Sequence, residues 1–388
     1  MNFDLLDEHR MLKELVRQFV DRELMPLEAG VLAREAGGAS PSLPADEQAR
    51  IDAVTRELGL WGLDAPADVG GADLPAVALV GVNEELARTV TPYTLPPDSP
   101  NLRMLMATVT DRQREAYLAP YVRGETISAI GISEPSAGSD PAGMTTTAVK
   151  DGDDWVINGR KIWITRAADA DFTIVMAVTE KKPGGRNAVS AFLIDKGTPG
   201  FTVARRIPMI GGQSTYEVVL DDCRVPGWKL LGTPGQGFAP MQVRLGTRRI
   251  EMASWSIGMA QRALDMMIDF APQRTTFGRP LGERQTVQNW IAEAATKIHA
   301  ARLMTYDCAW KLDEARDVRQ EISMIKAFAV EMAYEVVDRA MQLHGAMGMT
   351  RELPLHLMAS RLRTMRIYDG PTEVHRWVVA RNLLGTRA

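Results

Sequence analysis

The sequence predicts an α+β protein of several domains, in which helices come first, short strands follow and long helices close the chain. Three observations support that order. Residues 5–30 carry apolar side chains at helical spacing. Between residues 126 and 220 the chain changes to short runs rich in β-branched and aromatic residues. From Gln236 onward apolar seams at helical spacing return, as in a bundle of packed helices.

The first domain is predicted to be helical and to cover residues 1–124. Its helices are expected at residues 5–30, 46–58, 76–90 and 111–122. Gly, Ser and Pro mark a loop over residues 31–45, and prolines break the pattern from Pro92 to Pro100. The last helix should end at Gly124, which supplies a common helix stop.

The middle domain, residues 125–233, is predicted to be a barrel or sandwich of antiparallel strands. The strands are expected at Thr126–Ile132, Trp155–Ile157, Lys161–Thr165, Phe172–Val178, Val189–Ile194 and Tyr216–Leu220. Turn signals separate them at Asp151-Gly152, Asn158-Gly159 and Pro183-Gly-Gly.

In the third domain, residues 234–388, Arg248 and Arg249 are expected to open a helix that runs to Phe270. Seams from Val287 to Leu312 and from Ile322 to Val336 then predict long packed helices.

Composition excludes several classes of function. A net charge of −4 over 388 residues is unlike a general nucleic-acid binder. The two cysteines, Cys223 and Cys308, form neither a disulfide framework nor a Cys-rich metal site, and no metal motif occurs. The chain has no run long enough for a membrane helix and no signal peptide at its N-terminus, so we expect a cytoplasmic protein.

Two segments carry candidate chemistry. Gly131-Ile-Ser-Glu-Pro-Ser-Ala-Gly-Ser-Asp140 is a loop of small residues whose backbone N–H groups and hydroxyls could approach a phosphate. Met365-Arg-Ile-Tyr-Asp-Gly-Pro-Thr-Glu-Val-His-Arg-Trp377 places one carboxylate, Asp369, between an aromatic residue and a Gly-Pro turn. An ordinary loop and an ordinary Asp-Gly turn remain open on local grounds. Together the segments suggest a cofactor enzyme with one acid that takes a proton.

With these two segments, three further blocks carry a resemblance to the acyl-CoA dehydrogenase family of flavoproteins, over residues 3–385. The blocks are Trp155–Thr165, Arg274-Thr-Thr-Phe-Gly278 with Gln285, and Gln342-Leu-His-Gly-Ala-Met-Gly348. The resemblance implies a C-terminal four-helix bundle, non-covalently bound FAD and a homo-oligomer, either dimer or tetramer. It implies oxidation of an acyl-CoA thioester to a trans-2-enoyl-CoA, with an electron-transfer flavoprotein as the electron acceptor.

The same resemblance implies the site residues. Cofactor-binding positions would be Ile130, Ile132, Ser133, Gly138, Ser139, Trp163, Thr165, Arg274, Thr276, Phe277, Gln285, Gln342, Gly345, Ala346, Pro371, Thr372 and Glu373. In the family the group from Arg274 to Ala346 reaches the flavin of a neighbouring subunit. Substrate-binding positions would be Ser139, Arg249 and Gly370.

Asp369 is the implied base that removes the α-proton, and it departs from the family, which usually has Glu at this position. Asp is shorter by one carbon–carbon bond, about 1.5 Å. A misplacement of about 1 Å can cost on the order of 100-fold in rate. Either the site is built for the shorter acid or the reaction differs. Some branches place the base on the helix that contains Arg248, but an arginine stands there and no second acid is visible.

Two alternatives to a dehydrogenase keep the same fold. One is a flavin oxidase, monooxygenase or unusual desaturase, for which an Asp base would be natural. The other is a non-catalytic subunit of a mixed oligomer that has lost a working flavin site. The length, branching and ring content of the acyl group do not follow from the sequence.

Overall fold

Seven helices build the N-terminal part of the computed structural model, which describes residues 5–182 and 186–385. They are α1 (Asp7–Phe19), α2 (Glu28–Ala36), α3 (Ala45–Glu57), α4 (Ala76–Leu86), α5 (Ser99–Met106), α6 (Asp111–Gln113) and α7 (Ala119–Arg123). Turns of π- and 3-10-helix join α1 to α2, and a π-helical turn joins α6 to α7. The predicted helices are therefore present in the expected order.

Two details of the N-terminal prediction are wrong. Helix α2 continues to Ala36, inside the stretch predicted as a loop. Helix α5 begins at Ser99, inside the predicted proline break, with Pro100 in its first turn. Proline is tolerated there because the first-turn N–H groups have no partner within the helix.

A twisted sheet forms the middle of the molecule. Its strands are β1 (Ser128–Gly131), β2 (Thr147–Asp151), β3 (Asp154–Ile164), β4 (Phe172–Glu180), β5 (Ala188–Asp195), β6 (Phe201–Pro208), β7 (Ser214–Pro226) and β8 (Leu230–Leu231). They follow the order β6-β7-β3-β2-β4-β5-β8, and β1 pairs with β4. Most pairs are antiparallel as predicted, but β1–β4 and β2–β4 are parallel.

The predicted break at Asn158-Gly159 is also wrong, because both residues lie inside the single long strand β3, where the register with β7 shifts. Strands β2 and β6 were not expected from the sequence. The predicted turn at Pro183-Gly-Gly lies outside the described residues. Asp151-Gly152 does form the turn of the β2–β3 hairpin.

Long helices close the chain. They are α8 (Phe238–Phe270), α9 (Gln285–Asp313), α10 (Arg319–His344), α11 (Leu355–Met365) and α12 (Thr372–Leu384), and the short hairpin β9 (Thr275–Thr276) and β10 (Arg279–Pro280) lies between α8 and α9. The predicted apolar seams are buried over most of their length: Ile298 and Cys308 face the core from α9, as Ile325 and Val336 do from α10. The last residue of the α9 seam, Leu312, is exposed. Helix α8 begins at Phe238, so Arg248 and Arg249 lie inside it rather than at its start.

Helix α8 also joins the two helical domains. It packs against α4 and α5 on one side and against α9 and α10 on the other. Ion pairs cross the same boundary, including Arg262 of α8 with Glu28 and Arg302 of α9 with Glu84. Groups on α8 can therefore form a site with the N-terminal domain. Within the described residues, no helix is both long and apolar enough to cross a membrane.

Candidate active site

Asp369 follows α11 in a left-handed backbone conformation, with φ of 53°, and Gly370 continues with φ of 97°. The Asp369 side chain is 15% exposed, and its Oδ1 accepts a hydrogen bond from Nη1 of Arg244 on α8 at 2.9 Å. A Cβ on Gly370 would lie 2.8 Å from Nε2 of His375, so the turn requires glycine at that position. The acid is thus held at the start of a tight turn, against α8.

Three side chains fix the peptide carbonyls of this turn. Arg249 Nε donates to the Asp369 oxygen at 2.8 Å, and Nε2 of His375 lies 3.3 Å from the same oxygen. Lys326 Nζ donates to the Gly370 oxygen. Burial and the nearby Arg249 and Lys326 lower the pKa of His375 to about 3, so its ring is neutral. Among the described residues, the Asp369 N–H has no acceptor and remains free to donate to a ligand.

Further charged groups lie on α8 near Asp369. Arg248, one helical turn beyond Arg244, forms ion pairs with Asp98 and Glu251. Burial raises the pKa of Glu251 to about 8, against the opposing effect of Arg248. Glu251 is therefore a second acid on α8, which sequence reasoning missed because it considered only position 248.

A pocket adjoins these charged groups. The N-terminal domain contributes apolar side chains and two acids, and α8 contributes one acid and one arginine; the lining includes Leu63, Asp64, Val82, Leu86, Leu95, Pro96, Asp98, Arg248, Glu251 and Trp255. The described lining of this pocket therefore carries three acids and one arginine, and Asp369 is not part of it.

The loop after β1 is fixed by a buried ion pair that the sequence did not single out. Glu134 Oε1 lies 2.7 Å from Lys161 Nζ, and both side chains are buried. Thr145 and Thr146 donate further hydrogen bonds to the same carboxylate. Burial acts to raise the pKa of Glu134, but Lys161 and these hydrogen bonds outweigh it and lower the pKa to about 2. Gly138 and Ser139 remain exposed on this fixed loop.

Trp163 lies beside that loop because of a bulge in β3. Lys161 pairs with Val218 and Ile164 with Tyr216, so β3 has one residue more than β7 in this interval. Trp163 has a φ of 65° and its side chain is 51% exposed, although it is a large aromatic residue. Thr165 follows and is also exposed. Ser133 is close in the fold, since its carbonyl accepts from the N–H of Ile162 at 3.0 Å.

The predicted residues from Arg274 to Ala346 form a separate group at the far end of α8. Arg274, Thr276 and Phe277 belong to the β9–β10 hairpin region, and Phe277 is 98% exposed. Gln285 begins α9, and Gln342, Gly345 and Ala346 lie at the end of α10, where His344 stacks on Phe270 at 4.3 Å. At 1.5 Å per residue, α8 separates Arg249 from Phe270 by about 30 Å. One chain therefore does not bring this group to Asp369.

Pro371, Thr372 and Glu373 begin α12 directly after Asp369. Thr372 is buried, and its hydroxyl has no hydrogen-bond partner among the described residues. An exposed indole, loop N–H groups without side chains in the way and an unpartnered hydroxyl are features that fit a flavin nucleotide. Within residues 5–182 and 186–385, no group of His, Cys, Asp and Glu side chains could hold a metal ion.

Three family models match consecutive parts of this chain. They are the N-terminal, middle and C-terminal domains of acyl-CoA dehydrogenase, which match residues 6–125, 129–223 and 235–384.

Individual proteins match along the whole length. The chain is 43% identical over 394 residues to (R)-benzylsuccinyl-CoA dehydrogenase of Thauera aromatica, covering 99% of this chain and 97% of that one. The solved structure of butyryl-CoA dehydrogenase from Megasphaera elsdenii has a TM-score of 0.87 at 30% identity and covers 99% of this chain and 100% of its own. An FAD complex of PigA has a TM-score of 0.88 at 27% identity, with full coverage of both chains.

Proposed function

The chain belongs to the acyl-CoA dehydrogenase family, and from that membership we propose that Asp369 is the base of its reaction. The protein is an FAD-dependent oxidoreductase that acts on a CH–CH bond of an acyl-CoA. In the proposed reaction Asp369 removes the α-proton of the thioester and the product is a trans-2-enoyl-CoA. Bound FAD supplies the acceptor for the hydride that leaves the β-carbon.

The free N–H of Asp369 is the observation that carries this proposal. Removal of an α-proton places negative charge on the thioester oxygen, and a fixed donor at that oxygen stabilises the charge. Asp369 offers a donor and a base from one residue. Arg249 and Lys326 hold the two carbonyls of the turn, so the N–H direction is fixed before the substrate binds.

Arg244 gives the short acid a defined position. Its guanidinium contacts the Asp369 carboxylate on one side and Asn101 Oδ1 on the other, at 3.2 Å. Asn101 in turn donates to Ser128 Oγ at 2.9 Å, at the start of β1. Residues of all three domains thus orient the carboxylate, which supports a site built for Asp rather than one that lost its Glu.

We also infer a flavin site shared between two chains. Ser133, Gly138, Ser139, Trp163, Thr165 and Thr372 would hold FAD in one chain, and Arg274, Phe277, Gln285 and Gln342 would come from a second copy. The separation of about 30 Å along α8 supports this arrangement. The assembly would be a dimer or tetramer, and an electron-transfer flavoprotein would accept the electrons, as the family resemblance implies.

The test is single-turnover flavin reduction without oxygen, with butyryl-CoA and (R)-benzylsuccinyl-CoA among the substrates because relatives are named for them. Asp369→Asn should retain FAD and bind the thioester but reduce the flavin about 100- to 10,000-fold more slowly, since general-base catalysis is worth that much. Asp313→Asn is the control: this exposed acid ends α9 and accepts hydrogen bonds from the first N–H groups of α4. Reduction of the Asp369→Asn protein at the wild-type rate would disprove the assignment of the base.

A further inference from the structure

A second pocket lies beside α11, where the three domains meet. The N-terminal domain contributes side chains between residues 89 and 92, the middle domain contributes the turn between β6 and β7, and the C-terminal domain contributes one face of α11. We call this space the α11 pocket. Asp369 does not line it, and neither do the acids of the pocket beside Arg248.

The charge of the α11 pocket comes from Arg361. The described lining contains this arginine and no acid. Arg361 is half-buried, and among residues 5–182 and 186–385 its guanidinium has neither a hydrogen-bond acceptor nor a carboxylate partner. Burial lowers the pKa of Arg361, but an arginine stays protonated in a protein. The pocket therefore holds a partly desolvated cation without a counterion, which is costly.

Trp255 connects this cation to a second arginine. The guanidinium of Arg361 lies 5.0 Å from the centre of the Trp255 ring, and that of Arg248 lies 5.1 Å from it. Arg248 pairs with Asp98 and Glu251. Two like charges thus share one indole, and only Arg248 has counterions. An anion in the α11 pocket would supply the missing one.

The turn between β6 and β7 fixes one wall of the α11 pocket. Gly211 and Gly212 have φ of 75° and 72°. A Cβ on Gly211 would lie 3.0 Å from Cβ of Ser360 on α11, and one on Gly212 would lie 2.8 Å from Cδ of Pro41. The turn therefore packs closely against both neighbouring domains. Gln213, which follows it, is exposed and its side chain has no hydrogen-bond partner in the described parts of the chain, so it can donate to a ligand.

The rest of the lining is mainly aliphatic. It includes Val90, Ile210, Met259, Leu357 and Met358. Two threonines also line the pocket, but their hydroxyls already donate, Thr89 to Glu28 Oε1 at 2.6 Å and Thr364 to the Arg361 carbonyl at 2.7 Å. An apolar wall with a few convergent polar groups is typical of a small-molecule site. The ligand that fits both parts carries an anionic head and an apolar body.

We propose that the α11 pocket binds a free aliphatic carboxylate, with its head on Arg361 and its chain against the aliphatic wall. Arg–carboxylate pairs are strong because the planar guanidinium offers several donors in a fixed geometry. Gln213 would donate to the same head. This ligand is a free acid and not the thioester that reacts at Asp369, so the site is additional to the proposed active site.

The experiment measures the binding of three probes to the purified, FAD-loaded protein by isothermal titration calorimetry. Hexanoate has both head and chain, hexanamide has the same shape without the charge, and acetate has the charge without the chain. Hydrogen bonds to charged groups correspond to about 10- to 100-fold in binding, so hexanoate should bind more tightly than hexanamide by about that factor. Each buried CH₂ corresponds to about fourfold, so acetate should bind at least about tenfold more weakly than hexanoate.

Arg361→Gln should reduce the preference for hexanoate over hexanamide to within about threefold. Arg361→Lys keeps the charge and should retain part of the preference, which covers the case in which the Gln variant does not fold. The matched control is Arg363→Gln, because Arg363 lies two residues further along α11 and is exposed. That control should bind hexanoate as the wild type does.

Three results would overturn the inference. Hexanoate could bind no more tightly than hexanamide, acetate could bind as tightly as hexanoate, or Arg361→Gln could leave hexanoate affinity unchanged. The second result would mean a simple anion site, and the third would mean that the acid binds elsewhere. Because the readout is binding of a free acid, failure of Asp369 as the base would leave these measurements unaffected.

Discussion

At the scale of single residues, the site depends on a few side chains that surround one turn. Asp369 was predicted from its sequence context, but Arg244 and Glu251 were not. The reason is the position of the helix start. Because α8 begins at Phe238, four of its residues recur at helical spacing and share one face: Arg244, Arg248, Glu251 and Trp255. A predicted start near residue 248 hid that face. The role of Asp369 stays a proposal until the rate measurement.

His375 should make stability depend on pH. Its pKa is about 3 in the folded protein, lowered by burial and by Arg249 and Lys326, against an ordinary value of 6.5. The unfolded chain therefore binds a proton first as the pH falls, so the His375 contribution is present above pH 6.5 and is lost progressively between pH 6.5 and 3. The loss is on the order of a few kcal/mol.

The measurement is the melting temperature of wild type and His375→Gln from pH 7 to 4. The variant should lose stability less steeply than the wild type over this range. His299→Gln, a change of an exposed histidine on α9, should follow the wild-type curve. Parallel curves for wild type and His375→Gln would contradict the prediction.

At the scale of elements, the sequence identified the strongly patterned helices and strands and missed the short or exposed ones. Long seams on α9 and α10 are periodic because a whole face is buried. Helix α5 has only eight residues and starts among prolines, and β6 lies at the sheet edge with few buried side chains. The bulge that exposes Trp163 depends on pairing with β7, which local sequence does not encode.

The Glu134–Lys161 pair should be essential to the loop that we assign to FAD. Lys161→Met leaves a buried carboxylate without its cation, which typically destabilises by about 3–5 kcal/mol. We expect a lower melting temperature and weaker FAD binding, measured by thermal unfolding and by flavin content after gel filtration. Lys150→Met, on the exposed face of β2, is the control. A Lys161→Met protein that binds FAD as the wild type does would separate this ion pair from the cofactor site.

At the scale of the whole molecule, α8 connects the proposed halves of the active site. Its N-terminal half carries Arg244 and Arg249 against Asp369, and its C-terminal end leads to Arg274. The order of helical, β and helical domains was predicted correctly, whereas the domain boundaries near residues 124 and 233 stay predictions. Sequence pattern alone could not place Arg274 about 30 Å from the acid, because that distance depends on one unbroken helix.

A flavin site shared between two chains predicts that two inactive variants complement each other. Asp369→Asn lacks the base, and Arg274→Ala should bind FAD weakly. In a hybrid dimer of the two chains, one site would combine an intact Asp369 with an intact Arg274, so roughly half of the sites should work. The measurement is activity after co-expression with two different affinity tags and purification through both. Hybrids as inactive as either parent would contradict a flavin site shared between chains.

The ion pairs of Arg248 have a consequence for protein engineering. Asp98 belongs to the N-terminal domain and Glu251 to α8, yet both surround the same guanidinium. Transplanting Arg248 alone into another scaffold of this fold would leave a buried cation without counterions, and transplanting Asp98 alone would leave a buried anion. The three residues form the smallest portable unit, and a designer who wishes to move this pocket must graft all of them together.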